Sequence, residues 1–202
     1  MSRDDRHADL RRRLVEIAVE QLATDGLAGV QARKLAAATS ISVGTLYNAC
    51  GNLDNIIVEA NMITVGRLGQ ALESVALETE GLEISTRLRA MALAYLAFAV
   101  EHTPSWRALF EHRFSNGRDV PTVYREQQAE VFAIVERVLA TGIADGTIRE
   151  RAARALFGAV HGIAALALDE KLGAFDNART QAEIELLVAA FGKGLPNTSA
   201  SA

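Results

Sequence analysis

Apolar residues recur at helical spacing along almost the whole chain. Leu14, Ile17, Ala18 and Leu22 mark one face of a first helix over about Asp9 to Thr24, with residues 1–8 as a frayed arm and Gly26 as the stop. The stretch from Gln31 to Cys50, QARKLAAATSISVGTLYNAC, then reads as two short helices. Leu35, Ala36 and Ala38 supply the apolar positions of one; Thr39-Ser40-Ile41-Ser42 breaks the pattern, with Ser42 a natural N-cap for a second helix over about Val43 to Ala49. That second helix is too short to stand alone in water, and its outer side carries Thr45 and Asn48. Two short helices and a tight turn, with small hydrogen-bonding groups facing out, fit a helix-turn-helix that lays its second helix in a DNA major groove.

The same reading continues to the end. Asn52 is placed to cap a long helix from Leu53 to about Leu77. A helix over about Ile84 to His102 aligns Met91, Tyr95, Phe98 and His102 in one stripe. Thr103-Pro104 reads as N-cap and first residue of the next helix, which carries Trp106 and Phe110. After a turn at Asn116-Gly117, Pro121 opens a helix reaching about Thr141, and a loop from Gly142 to Gly146 leads to another over about Ile148 to Leu172. Thr180-Gln181-Ala182-Glu183 has the form of a capping box, so a last helix runs from there to about Gly192. The prediction is an all-α chain of about nine helices. A three-helix head covers 1–52 (motif 31–50), a connecting helix 53–80, a larger helical unit 81–195, and a disordered Ser/Ala-rich tail 196–202. No internal repeat is visible.

Composition narrows this further. Half of the 202 residues are hydrophobic, enough for a sizeable core, and three prolines fit a helical chain. The single cysteine excludes a disulfide framework and a Cys-based zinc site. Residues 1–13 are too charged for a signal peptide, and the longest apolar run, Ala155 to Leu168, is too short to span a bilayer. A cytoplasmic protein with no membrane partner is expected. Charge is less telling: residues 1–60 hold seven Lys or Arg against eight Asp or Glu, and the whole chain carries −4. The positive charge is clustered, at Arg11-Arg12-Arg13 and Arg33-Lys34, where it can meet phosphates locally. The first cluster sits at the wrong end of its helix for the dipole; it is either a solvated basic end or a phosphate contact.

Gly26-Leu27, Val30, Arg33-Lys34-Leu35-Ala36 and Ile41-Ser42-Val43-Gly44-Thr45-Leu46-Tyr47 together resemble the N-terminal domain of TetR-family transcriptional repressors, over roughly residues 11–60. Residues 97–102 with Pro104, Trp106 to Phe110, and Phe157-x-x-x-His161-Gly162 resemble the C-terminal WHG subclass of that family, with Phe157 standing where its Trp would be. The resemblance implies a ligand-responsive regulator: a homodimer that binds a pseudo-palindromic double-stranded DNA operator and is released by a small-molecule effector, here unknown, acting through the helix after residue 52. It also implies that Ser42, Thr45 and Tyr47 reach phosphates around Gly44, with Arg33 and Lys34 near the backbone or groove edge. Asn48 and Val43 are the expected base contacts, since an Asn can bond an adenine edge and an apolar group can meet a thymine methyl. The chain departs from the family at Cys50 and Leu53, where a Phe and a phosphate-binding Lys are usual.

Other chemistry is thin. Glu101, Glu111 and His112 do not fall on one tight face, so no metal is expected; Cys50 has no His nearby in sequence; there is no Gly-rich phosphate loop, catalytic set or cofactor motif. Phe98, His102, Trp106, Phe110, Phe157 and His161 form a candidate ligand lining, mostly apolar with a few polar groups; a core histidine is the plainer reading of His161. For the dimer, Ala159, Gly162 and Ala165 permit close helix approach, and Ile184, Leu187, Val188 and Phe191 supply a facing stripe. The competing reading is a helical small-molecule-binding protein or enzyme whose head no longer binds DNA. Leu53 and the near-neutral head favour it, and the intact Gly44-Thr45-Leu46-Tyr47 opposes it.

Overall fold

The computed structural model describes residues 3–113 and 120–194; the expected turn at Asn116-Gly117 and the tail 196–202 lie outside them. Among the described residues there are nine α-helices, a 3-10 turn and no strand: α1 (Arg3–Asp25), the turn Leu27–Gly29, α2 (Ala32–Ala38), α3 (Val43–Cys50), α4 (Leu53–Glu78), α5 (Ile84–Glu101), α6 (Thr103–Glu111), α7 (Thr122–Leu139), α8 (Gly146–Leu168) and α9 (Asn177–Gly194).

Four helices have boundaries that differ from expectation. α1 starts at Arg3, not Asp9, so residues 3–8 of the expected arm are helical. His102, not Thr103, is the N-cap of α6, and Pro104 sits one residue deeper in the first turn, where its missing N–H is still harmless. α8 begins at Gly146 because the Asp145 carboxylate accepts from Ile148 N–H at 2.9 Å, and it stops at Leu168, before Glu170 turns to a φ of 54°. α9 starts a turn before the expected capping box. Asp176 accepts from Arg179 N–H at 3.1 Å, while Thr180 is buried with its hydroxyl on the Asp176 carbonyl at 2.8 Å.

Packing divides the chain into two compact units. One holds the chain up to Arg67 with His102–Gln127, the other Leu68–Glu101 with the chain from Gln128 on. In the first, Leu14, Ala18 and Leu22 of α1 meet Leu35, Leu46, Ile56 and Ala108 in one core. Gly26 leaves α1 at φ 65°, ψ −160°, a region essentially reserved for glycine. α2 ends with Ser40 in the left-handed region at φ 55°, Ile41 N–H on the Ala36 carbonyl and Ser40 N–H on the Ala37 carbonyl. That pair of bonds is a Schellman motif built on a serine, and it makes the sharp turn into α3. Arg11 donates to Glu59 of α4, and this bond holds the guanidinium pKa above its usual value. Asn61 donates to the Ala108 carbonyl at 3.4 Å, and Gln127 to that of Met62 at 2.9 Å.

In the second unit α5 packs on α8 and α9, and α8 on α9. Leu88, Leu96, Leu139, Ile143 and Ile184 are fully buried. Arg87 donates to the Ala76 carbonyl at 3.0 Å, which ties α5 to the end of α4. α8 as a whole is 23 residues, longer than its apolar run, and by length and composition could cross a membrane. Its Ala153, Leu156, Val160 and Ala164 instead pack into this unit's core.

Candidate functional site

Two places bear the chemistry expected from the sequence, one in each unit. In the first, α3 is held from below and open above. Leu46 and Cys50 point into the core, while Ser42, Gly44, Thr45, Tyr47 and Asn48 are exposed, Tyr47 by 42 %. Its start is pinned by Ser42, whose hydroxyl accepts from Thr45 N–H at 3.0 Å and pairs with the Thr45 hydroxyl at 2.9 Å. The two hydroxyls therefore present one fixed polar spot at the helix start. Val43 is half-buried and packs on the core, so only part of it faces outward.

The nearby cations are not equally available. Lys34 lies 3.7 Å from Asp25, whereas Arg33 is exposed and forms no ion pair among the described residues. Arg11 is engaged with Glu59, and Arg12 with Asp9. This bears on the two readings of the basic cluster in α1: two of its three arginines have partners within the chain. Leu53 is half-buried and packs against the core. Beside it Asp54 lies 3.2 Å from His112, at the end of α6; nothing in the sequence spacing pointed to that pair. The amide of Asn52 does cap α4, accepting from Asn55 N–H at 2.9 Å, and Asn55 donates to the Cys50 carbonyl at 2.7 Å. Burial pushes the Cys50 thiol pKa up, and the thiol donates to the Leu46 carbonyl at 3.1 Å. A protonated, buried thiol is a packing group, not a nucleophile.

The second unit contains a small apolar cavity of about 50 Å³. Leu72 of α4, Leu88, Met91, Ala92 and Tyr95 of α5, and Val135 of α7 form part of its wall; α8 closes it with Ala153, Leu156, Phe157 and Val160. Of the six residues expected to line a ligand site, Phe157 is in this wall. His161 stands just behind it, stacked on Phe157 at 5.6 Å with its Nδ1 2.9 Å from the Tyr95 hydroxyl. Burial lowers the His161 pKa and keeps the ring neutral. Phe98 is buried in this unit outside the lining, and His102, Trp106 and Phe110 belong to the first unit, where Trp106 meets Phe110 edge-on at 5.5 Å. The expected set is thus split. The aromatic spacing that suggested it was real, but it ran across the end of α5. The cavity itself has no distinct sequence signal: Ala92 and Ala153, which leave the space, are two among the many alanines of α5 and α8.

The residues expected at a dimer interface also divide. Ile184 and Val188 are 0 % and 1 % exposed in the single chain, so they belong to its own core and are corrected as contact residues. Leu187 and Phe191 are half-buried. On α8, Ala159 and Ala165 are half-buried, and a side chain added at Gly158 or Gly162 would meet nothing within 4 Å. Leu166 is exposed nearby, and on α9 Leu186 is 73 % exposed.

No curated protein matches the chain in sequence. Solved structures do match in fold. A protein of unknown function from Rhodococcus sp. RHA1 aligns with a TM-score of 0.73 at 23% identity, covering 92% of this chain and 95% of that one. A TetR-like transcriptional regulator from the same organism aligns at 0.61 and 18%, covering 92% and 96%. The multidrug binding protein EbrR, complexed with imidazole, aligns at 0.61 and 19%, covering 94% and 97%. In sequence, residues 88–191 match the model of the tetracyclin repressor-like C-terminal domain. That match spans just over half of the chain and includes every helix from α6 to α8, and with the helix-turn-helix head in front of it the chain belongs to the TetR family of transcriptional regulators.

Proposed function

We propose that this chain is a ligand-responsive repressor that binds a pseudo-palindromic DNA operator as a homodimer and leaves it when a small molecule enters the second unit. The observation that carries the reading is α3: an eight-residue helix, capped by Ser42 and anchored through Leu46, whose outward residues are all polar or small. A helix so held presents hydrogen-bonding groups at a fixed geometry, as major-groove reading requires. Tyr47, Ser42 and Thr45 contact phosphates, Arg33 is the principal cation, Lys34 is shared with Asp25, and Asn48 and the exposed part of Val43 read bases. The division into a DNA-reading head over 1–52, a connecting helix over 53–80 and an effector and dimer unit over 81–195 is part of this reading, as is a cytoplasmic location without enzymatic activity.

The dimer uses the open faces of α8 and α9: Ala159, Gly162 and Ala165 with Leu166 on one, Leu186, Leu187 and Phe191 on the other. A two-fold pair of heads then spans half-sites about 34–36 Å apart or a multiple of it. The effector is bound in the cavity beside Tyr95 and Phe157, a placement consistent with a structural neighbour that is a multidrug binding protein.

The test is binding to a randomised DNA library, read by anisotropy. The wild type selects a palindrome; Tyr47→Phe weakens all sequences alike, while Asn48→Ala relaxes preference at one position per half-site. Uniform loss in both variants removes the base-reading assignment. The paired cations and the apolar Leu53 favour a second reading, a helical binding protein without DNA function. Absence of any DNA binding at low salt, where phosphate contacts are strongest, selects it.

A further inference from the structure

We propose that the molecule recognised by the cavity is a compact, uncharged hydrocarbon group, such as a single aromatic ring, and that its entry requires the wall of the cavity to widen. This rests on the effector reading for its regulatory meaning, but the ligand class follows from the wall itself. Apart from the Met91 thioether and the Tyr95 phenol, the lining side chains are aliphatic or phenyl, and among the described residues no Asp, Glu, Lys or Arg lines the cavity. An ion there would lose its hydration with nothing in return, a cost of many kcal/mol. The one polar lining side chain is Tyr95, and its hydroxyl is turned to His161 Nδ1 at 2.9 Å. Its ring contributes a wall at right angles to Phe157, with centroids 5.7 Å apart and an 84° interplanar angle. A ring edge beside a ring face suits a further aromatic ring, which stacks offset against one and edge-on to the other. Met91 adds a polarisable group that adapts to either shape.

Size decides the second half of the proposal. An apolar cavity of about 150 Å³ accepts benzene, whereas this one is about 50 Å³. A ring therefore cannot enter the resting cavity. The walls come from four helices, and Leu72 belongs to α4. Widening the cavity shifts wall side chains or one of these helices, so an occupied and an empty state differ in packing.

The chain offers its own reporter. It has three methionines, and Met91 lines the cavity while Met62 lies in the other unit and Met1 at the chain start. The full-length protein, labelled with carbon-13 at the methionine methyls, is titrated with benzene and, in parallel, with benzoate. Benzene is expected to shift the Met91 methyl saturably, with at least a tenfold preference over benzoate, and to leave Met62 and Met1 in place. Tyr95→Phe keeps the ring and should bind benzene within about twofold of wild type; a hydroxyl-dependent site would lose it. Ala153→Leu, or Ala92→Val if the former does not fold, should abolish the shift by filling the space. A Met91 signal unmoved by benzene, or moved equally by benzoate, overturns the proposal. An operator gel shift on the same samples separates the two claims: benzene bound at Met91 with operator binding unchanged upholds the ligand class and removes the effector role.

Discussion

The two units use the same element, the amphipathic helix, to opposite ends. In the head the two helices of the reading motif, α2 and α3, are short, and the turns around them are fixed by named groups: Ser42 and Asn52 as caps, Ser40 in the left-handed region, Gly26 where only glycine fits. The apolar residues point inward and the outward side of α3 is polar. In the second unit the helices are long, their sides are apolar beyond the core face, and a cavity is left between them. The contrast teaches that rigidity and responsiveness come from different residues: caps and the buried anchor Leu46 fix the reading surface, while small residues around a cavity leave room for a change of packing.

The largest test of that contrast removes the anchor of α3. Leu46→Ala should cost about 3 kcal/mol, within the range for buried leucines, and abolish operator binding together with the lost stability. The matched change in the second unit, Ala153→Leu at the cavity wall, should cost less than that in chemical denaturation, at the low end of the about 1–3 kcal/mol for added methylenes, because some space is already present. Equal losses in the two would mean that the units are equally well filled. Next in size, Gly26→Ala should destabilise by about 1–3 kcal/mol, since a Cβ is strained at that φ and ψ; a melting temperature within one degree of wild type contradicts the backbone argument.

Leu53→Lys probes the border between reading and packing. Leu53 rests on the head core, so the variant should melt lower by the equivalent of about 1 kcal/mol. The stem of the lysine can stay on the apolar surface with its ammonium in water. If that ammonium reaches phosphate, the dependence of affinity on salt steepens by up to about two units for the dimer. An unchanged slope with the lower melting temperature assigns Leu53 to the core alone. The smallest effect concerns pH. Burial holds the folded His161 pKa below its ordinary value, so the unfolded chain takes up a proton first on acidification. Stability is fully present above about pH 6.5 and is lost as pH falls towards the lowered folded value. His161→Gln should flatten that slope; a wild-type stability that rises on acidification in this window contradicts it.

How much of this was legible in the sequence follows the same division. The helix-turn-helix was readable because its signals are local: Ser42 three residues before Thr45, Gly26 after a run of apolar positions, small residues in the turn. The second unit gave up its helices but not their partners. The stripe of Ile184, Leu187, Val188 and Phe191 has helical period, and period says that a face is covered without saying by what; two of the four are covered by the chain itself. His161 showed the same limit, since its partner Tyr95 lies 66 positions away. The cavity was missed because a void is made by the absence of side-chain volume, and Ala92 and Ala153 are unexceptional residues in any helix.

Cys50 has a practical consequence. It is the only cysteine in the sequence, it is buried, and its thiol stays protonated and hydrogen-bonded to the Leu46 carbonyl. Maleimides and other thiolate-directed labels should pass it by while the head is folded. A spectroscopic dye or spin label can therefore be attached through one introduced thiol on the open faces of α8 or α9, without first replacing the native residue. Slow native labelling at Cys50 then doubles as a clock for opening of the head, timed against denaturant or DNA in the same tube.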